Sequence, residues 1–555
     1  MARFFHLGSW LAGSLLLTAC GSPPPPSARI PAAAAPAADL SRVLESYWNE
    51  HHPLPGMIDA QALADELALE RLYLDQINAV PRDRLDAEGK LNYDIFKRRR
   101  ELAIEGFTYP EELLPLRPFR GLPLQLALAG LESGQRPWSA ADYEEWLRRV
   151  DIYVKFVDRA VSNMREGARR GYLTPAPVVG RMVKLLERLA SEGDANVFYT
   201  PLHSLPDSLN QKDRSRLTKV LTDAVSGKIL PATRRLHDFL KGEYLAKART
   251  SLSLSDEPLG AAWYAYRLKR AVGPGYNPAD MHHLGLAEVE KLKARMQPPT
   301  PAGTLPVSEL LSSYEELAMR VNAALVAVFP EEPATPFEIQ ATDFTLEPDS
   351  PLFYWHAAVQ GSRPGVLYVD TTEKPGKPAV ASFLRYAVPG EHYATSVART
   401  SQLPKFRRYT EDAAFIEGWG MYAASLGEQL GIFNDDASRQ QWLEVQMRCA
   451  AMLVTDTGIH AMGWTRAQAL DYLHTQASLD DAEADAVVDE ATAAPGDGSA
   501  CLMGELKFQT LRTRAQQGLG SRFDERAFNA RILRDGSMPL DMLDATIKAW
   551  VETYR

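Results

Sequence analysis

The sequence predicts a mainly α protein with one small β-sheet near residues 335–372, and three observations carry that prediction. Apolar residues recur at helical spacing, with Gly and Pro between the runs, over about 60–105, 140–195, 210–246, 260–272 and 278–297. Two short segments, TPFEIQATDF and GVLYVDTT, are rich in β-branched and aromatic residues and bounded by Pro or Gly. The run AAFIEGWGMYAA, 413–424, is apolar on every side, the pattern of a helix with no solvent face.

The chain opens on MARFFHLGSWLAGSLLLTAC, with a basic residue at Arg3, an apolar stretch through Leu17, and then Leu17-Thr18-Ala19-Cys20. This reads as a secretory signal over 1–19 ending in a bacterial lipoprotein cleavage box, which leaves Cys20 as the lipidated N-terminus. The apolar stretch is too short to span a bilayer comfortably. Gly21 and Ser22 lack the aspartate of an inner-membrane retention signal, so the expected place is the outer membrane, facing the periplasm. A tether over residues 20–39 follows, its Pro/Ala stretch SPPPPSARIPAAAAPAA having nothing to bury. Residues 40–555 are then the folded body.

Within the body the helical periods are punctuated by local signals. Thr465-Arg466-Ala467-Gln468 is a capping box, and Ser438-Arg439-Gln440-Gln441 reads as a second. The last helix carries Leu540, Leu543, Ile547, Trp550 and Val551 behind Pro539. A short sheet followed by helices that converge on polar residues is an element order found in zinc peptidases, although order alone carries no activity.

The net charge is -10 and basic residues are interspersed with acidic ones, which excludes a nucleic-acid partner. Of three cysteines, Cys449 and Cys501 remain once Cys20 is lipidated. An oxidising periplasm permits a disulfide, but each lies in a helical pattern far from the other in sequence, which weighs against pairing. No His is followed by Glu, so the H-E-x-x-H zinc motif is absent, as are the G-x-S-x-G elbow and a Gly-rich phosphate loop.

Chemistry is therefore sought among ionisable residues in apolar runs. Glu417 is the one charged residue of 413–424, and a buried carboxylate requires a metal, a cation or a hydrogen-bond network. Asp456 and His460, four residues apart in AAMLVTDTGIHAMGW, share a helical face, as a core pair or as a carboxylate orienting an imidazole toward a site. His282 and His283 near the start of NPADMHHLGLAEVEKL read as capping or surface residues. In SFLRYAVPGEHYATS, a Pro-Gly break precedes Glu391 and His392 and follows Arg385 and Tyr386.

The segments AFIEGWGMYAASLGEQLG, LVTDTGIHAMGWTRAQALDYL, GELKFQTLRTRA and GSMPLDMLDATIKAWV resemble the bacterial domain-of-unknown-function family 885, which includes many lipoproteins and is grouped with gluzincin-like zinc metallopeptidases. MREGARRGYLTP and NPADMHHLGLAEVEKL extend the likeness over most of the chain. The resemblance implies a zincin-like helical body. In that family the frame before the Glu-Gly-Trp helix reads His-Glu-Ala-Val-Pro-Gly-His-His and supplies metal ligands and the general base. Here Arg385 stands for the first His, Tyr386 for the Glu, and Glu391 for the first His of the closing pair, while His392 is kept. The resemblance makes Glu417 a metal ligand and keeps His460 in its Asp-Thr-Gly-x-His motif. Glu490-Ala491 replaces Arg-Tyr, Pro495-Gly496-Asp497-Gly498 replaces Pro-Gly-Gln-Ala, Cys501 replaces a tyrosine, and Asn529 replaces a His.

Apolar and turn positions match the family while polar site positions do not. Losing the general base alone removes a factor of about 10² to 10⁴. The reading is thus a lipid-anchored pseudo-peptidase that binds a peptide or envelope partner and holds no cofactor, with Arg385 neutralising Glu417 or Glu391 in place of a metal. Its alternatives keep Glu391, His392, Glu417 and His460 as catalytic candidates: a zinc hydrolase whose ion is held by Glu391, His392 and Glu417, or a metal-free hydrolase with Glu391 and Glu417 as acid and base.

Overall fold

A computed structural model describes residues 36–51, 58–118, 121–128, 140–194, 196–297, 305–330, 335–342, 350–357, 364–372 and 377–554. Cys20 and most of the tether lie outside these residues. The Pro36–Glu50 helix takes in the last residues of the Pro/Ala stretch.

The helices form where the periodicity places them, over Ala60–Asn78, Ala87–Gly106, Ala140–Arg170, Ala176–Leu189, Gln211–Ala224, Gly260–Val272 and Pro278–Lys293. Side chains of Asp59, Asp86, Asn210 and Asn277 accept backbone N–H bonds at their starts, which satisfies donors no helical carbonyl can reach. The Thr465 capping box is present. The Ser438 box is shifted: Asp435 is the cap and Ser438 the residue that bonds back, so the helix runs Asp436–His460. In the last helix, Leu540–Glu552, four of the five predicted residues are buried and Trp550 is partly so.

Among the described residues two large hydrophobic cores result, beside a small cluster of Leu124, Val366 and Tyr368. Tyr143, Trp146, Val150, Tyr153, Val157, Ala160 and Met164 recur along one face of Ala140–Arg170 and pack with Met182, Leu186, Leu217, Leu221 and Leu236 into a helical lobe. The larger core joins the N-terminal helices to buried side chains from Leu252 to Val551. Among the described residues the sheet has three strands, β1 Phe337–Thr342, β2 Leu352–Trp355 and β3 Gly365–Asp370, in the order β1-β3-β2. β3 pairs parallel with β1, Phe337 opposite Gly365, and antiparallel with β2, Leu352 opposite Val369. β2 is four residues long and escapes the pattern reading, because one apolar turn of chain carries no period.

The all-apolar run is the Ala413–Ser425 helix, buried from Ala413 through Ala424. It crosses the Ala500–Leu519 helix backbone to backbone: a Cβ on Gly418 would lie 2.4 Å from the Gly504 backbone. Cys449 and Cys501 form a disulfide, with Cα atoms 5.8 Å apart, against the expectation from their separation in sequence. Distance along the chain was a poor guide because the Asp436–His460 and Ala500–Leu519 helices pack side by side.

Candidate functional site

The site is built where the chain breaks between two helices, Val380–Tyr386 and Glu391–Thr400. Val388–Pro389 is a cis peptide, and Gly390 lies so close to the preceding turn that a Cβ there would meet the Arg385 carbonyl oxygen at 1.9 Å. Trp419 clamps this break by donating its indole N–H to the carbonyls of Pro389 at 3.0 Å and Gly390 at 3.2 Å. One side of the Glu-Gly-Trp helix is thereby fixed against the segment that carries Arg385 and Glu391.

Arg385 Nη2 donates to Glu417 Oε2 at 2.6 Å, with side-chain exposures of only 7% and 6%. Its guanidinium also lies 4.9 Å from the centre of the buried Tyr386 ring. Glu417, one of the two partners expected for Arg385, is thus bonded to it. Glu505 lies near enough for the Arg385 charge to act on it. Its Oε1 accepts from Gln446 at 2.7 Å and Gln509 at 2.8 Å, and burial pushes its carboxyl up to about 7.

His392 faces away from this pair. Its Nδ1 accepts from the Tyr354 hydroxyl at 2.7 Å, and its Nε2 donates to the Thr335 carbonyl at 3.0 Å. Burial brings its pKa down to about 4, so the ring is neutral. Glu391, the first residue of its helix, has Oε1 3.1 Å from His356 Nε2, and Glu411 Oε2 lies 3.7 Å from the same nitrogen.

The remaining candidates are dispersed. Asp456 and His460 do not bond to each other. Asp456 accepts from the Tyr264 hydroxyl at 2.5 Å and the Gly496 N–H at 2.8 Å, while burial raises its carboxyl to about 7. His460 accepts the Leu254 N–H at Nδ1 and donates from Nε2 to the Ala491 carbonyl, each at 2.9 Å, and burial holds it neutral with a pKa of about 4. Both tie the core together. Asn529 accepts from Tyr422 at 2.8 Å and donates to the Val328 carbonyl at 2.9 Å. His282 is buried against Thr457 Oγ1 at 2.9 Å, so it is neither cap nor surface; Asn277 caps that helix.

The positions that the resemblance assigns to a zinc ion do not fit one. A guanidinium occupies the carboxylate of Glu417, and both ring nitrogens of His392 are engaged by protein groups. Among the described residues, neither group of three His, Asp or Glu side chains with ligand atoms gathered within 4.8 Å contains His392 or Glu417. The predicted Glu391, His392 and Glu417 metal set is therefore not assembled. Sequence reading missed His356 and Glu411, whose partners lie in other elements and leave no spacing signal. Glu505 did carry a signal, as the lone carboxyl in the apolar run Cys501-Leu502-Met503-Gly504-Glu505-Leu506.

The profile of a family described as "Bacterial protein of unknown function (DUF885)" matches residues 47–302 and 299–547. No curated protein is similar to the chain. A protein of Colwellia psychrerythraea described as a candidate lipoprotein superposes with a TM-score of 0.80 at 20% identity, over 94% of this chain and 97% of that one. Another from Shewanella oneidensis, described as a candidate lipoprotein of unknown function, gives a TM-score of 0.60 at 15% identity, over 93% and 100%. The M32 carboxypeptidase of Deinococcus radiodurans R1 gives 0.38 at 13% identity over 94% and 96%, too low to carry an argument. At such identities these likenesses speak for the fold alone.

Proposed function

Since the chain belongs to the DUF885 family of bacterial proteins of unknown function, we propose that it is a lipid-anchored envelope protein that binds a peptide or an envelope partner without cutting it. The observation that carries this reading is the 2.6 Å Arg385–Glu417 ion pair, which sets a cation of the protein where the family resemblance calls for a metal. Tyr386, in the place of the general base, is a buried phenol under that guanidinium. With neither a metal-ligand set nor a base in this frame, attack by water on an amide has no promoter there.

The anchor is Cys20, and the outer membrane facing the periplasm is its proposed place. Two structural neighbours described as candidate lipoproteins favour it. So does the buried Cys449–Cys501 disulfide, which suits an oxidising compartment. Among the described residues no helix is long and apolar enough to cross a membrane.

The test is hydrolysis of a mixed peptide library by the detergent-solubilised full chain with added zinc, beside an Arg385→His/Tyr386→Glu/Glu391→His variant. The expected result is no cleavage by the natural chain and zinc-dependent cleavage by the variant. Cleavage by the natural chain that disappears in Glu417→Gln would overturn the reading.

A further inference from the structure

We propose that Arg117, Arg267 and Arg270 form a binding site for a phosphate group, at the junction between the helical lobe and the rest of the body. The three guanidinium groups gather on one carboxylate, Glu111. Arg267 Nη2 lies 2.8 Å from its Oε1, Arg270 Nη1 4.0 Å from the same oxygen, and Arg117 Nη2 3.7 Å from its Oε2. Burial works against the charge of Glu111, yet Arg267, Arg270 and Arg117 together hold its carboxyl down at about 2. The field at this point thus favours negative charge strongly enough to override desolvation.

The cluster is assembled from three segments. Glu111 and Arg117 flank the connection that leaves the larger core at Leu113 and enters the lobe at Leu116. Arg267 and Arg270 stand three residues apart near the end of the Gly260–Val272 helix, and so share a face. The turn over 495–498 presses on that helix: a Cβ on Gly496 would lie 3.0 Å from the Arg267 backbone, and Asp497 is near enough to act on both arginines. Side-chain exposures are 29% for Glu111, 22% for Arg117 and 20% for Arg270, against 7% for Arg267. The site is open to water at its rim and closed at its floor.

What points to a ligand is that floor. Among the described residues Glu111 is the one carboxylate within 4.0 Å of the Arg267 guanidinium, whose buried Nε and Nη1 meet no acceptor. Burying the donors of a charged group without acceptors is costly, and an oxyanion seated on Arg267 removes that cost. A carboxylate brings two oxygens and one charge to three guanidinium groups, whereas a phosphate group brings at least three oxygens and more charge. Arginine in place of lysine at all three positions suits phosphate for the same reason, since the planar fork matches the spacing of its oxygens.

The proposal is independent of peptide cleavage, and its readout is phosphate binding. The detergent-solubilised full chain, freed of phosphate, is titrated in a calorimeter at pH 7.5 and constant ionic strength with sodium phosphate, glycerol 3-phosphate and sodium acetate in turn. Arg117→Gln, Arg267→Gln, Glu111→Gln and, as a control in the exposed Arg216–Glu144 pair, Arg216→Gln are treated alike after their thermal unfolding is checked. One phosphate per natural chain is expected, bound more weakly by roughly tenfold or more in Arg117→Gln and Arg267→Gln and unchanged in Arg216→Gln. Glu111→Gln should bind it several times more tightly, because a competing negative charge is gone, a gain that a merely structural cluster would not give. If Arg267→Gln or Glu111→Gln does not fold, the more exposed Arg117→Gln decides. Glycerol 3-phosphate bound as well as inorganic phosphate supports a group carried on a larger molecule, and inorganic phosphate bound alone supports the free ion. No saturable phosphate binding, acetate bound as tightly as phosphate, or binding that Arg117→Gln leaves intact would overturn the proposal.

Discussion

Arg385→Met tests whether the Arg385–Glu417 ion pair, and not the surrounding packing, holds this part of the core together. The substitution keeps an unbranched stem in the space beside Gly420, where a Cβ would already lie 3.1 Å from Arg385 Cγ. What it removes is the charge facing Glu417. With both side chains under a tenth exposed, water cannot take over the carboxylate, and stripping one partner from a buried pair costs about 3–5 kcal/mol. Because the penalty comes from the lost counter-charge, Arg385→Met/Glu417→Leu should recover most of it. The assay is urea unfolding at pH 7.5 with the disulfide intact, followed by tryptophan fluorescence. A loss below about 1 kcal/mol in Arg385→Met, or a double variant no better than the single, would refute the reasoning.

Glu505, raised by burial to about 7, keeps its proton when folded over a range in which the unfolded carboxyl has lost it. Its contribution to stability is therefore present below about pH 4.5 and lost as the pH rises to about 7, so urea unfolding should show the natural chain losing about 3 kcal/mol relative to Glu505→Gln across that window. Replacing both Cys449 and Cys501 by Ala opens a covalent link across a sequence separation of 52 residues, and chain entropy puts the loss at about 4 kcal/mol, read by the same unfolding curves. Gly504→Ala sets a Cβ 2.1 Å from the Ala414 carbonyl oxygen and should cost about 2 kcal/mol or more, whereas Gly180→Ala, with nothing within 4 Å, should stabilise its helix by several tenths of a kcal/mol.

What could be read from the sequence divides along the range of the interaction. Helix periods and the Thr465 capping box are written within a few residues of each other, and they fall where predicted. The Glu417 argument worked for a related reason: a lone charge in an all-apolar run must have a partner, and the family frame named Arg385 as one of the candidates. Asp456 and His460 show the limit of spacing. Four residues apart on one face, they take partners from other segments, Tyr264, Gly496, Leu254 and Ala491, because a buried polar group bonds to whatever backbone or hydroxyl the packing brings nearest. The disulfide and the His356 cluster are long-range in the same sense. Neither has any local signature, since each depends on which helix and strand ends the core brings together.

The substitutions in the frame are mutually dependent, which bears on how such a site changes. A histidine at 385 without an ion would take the guanidinium's charge away from the buried Glu417, and an arginine there alongside a dication would set two cations on one carboxylate. Only the ion or the guanidinium can be present at Glu417, and each satisfies the same electrostatic demand of the Ala413–Ser425 helix. The fold can therefore survive the exchange while a base at 386 becomes useless, because no ion would remain to bring water to it.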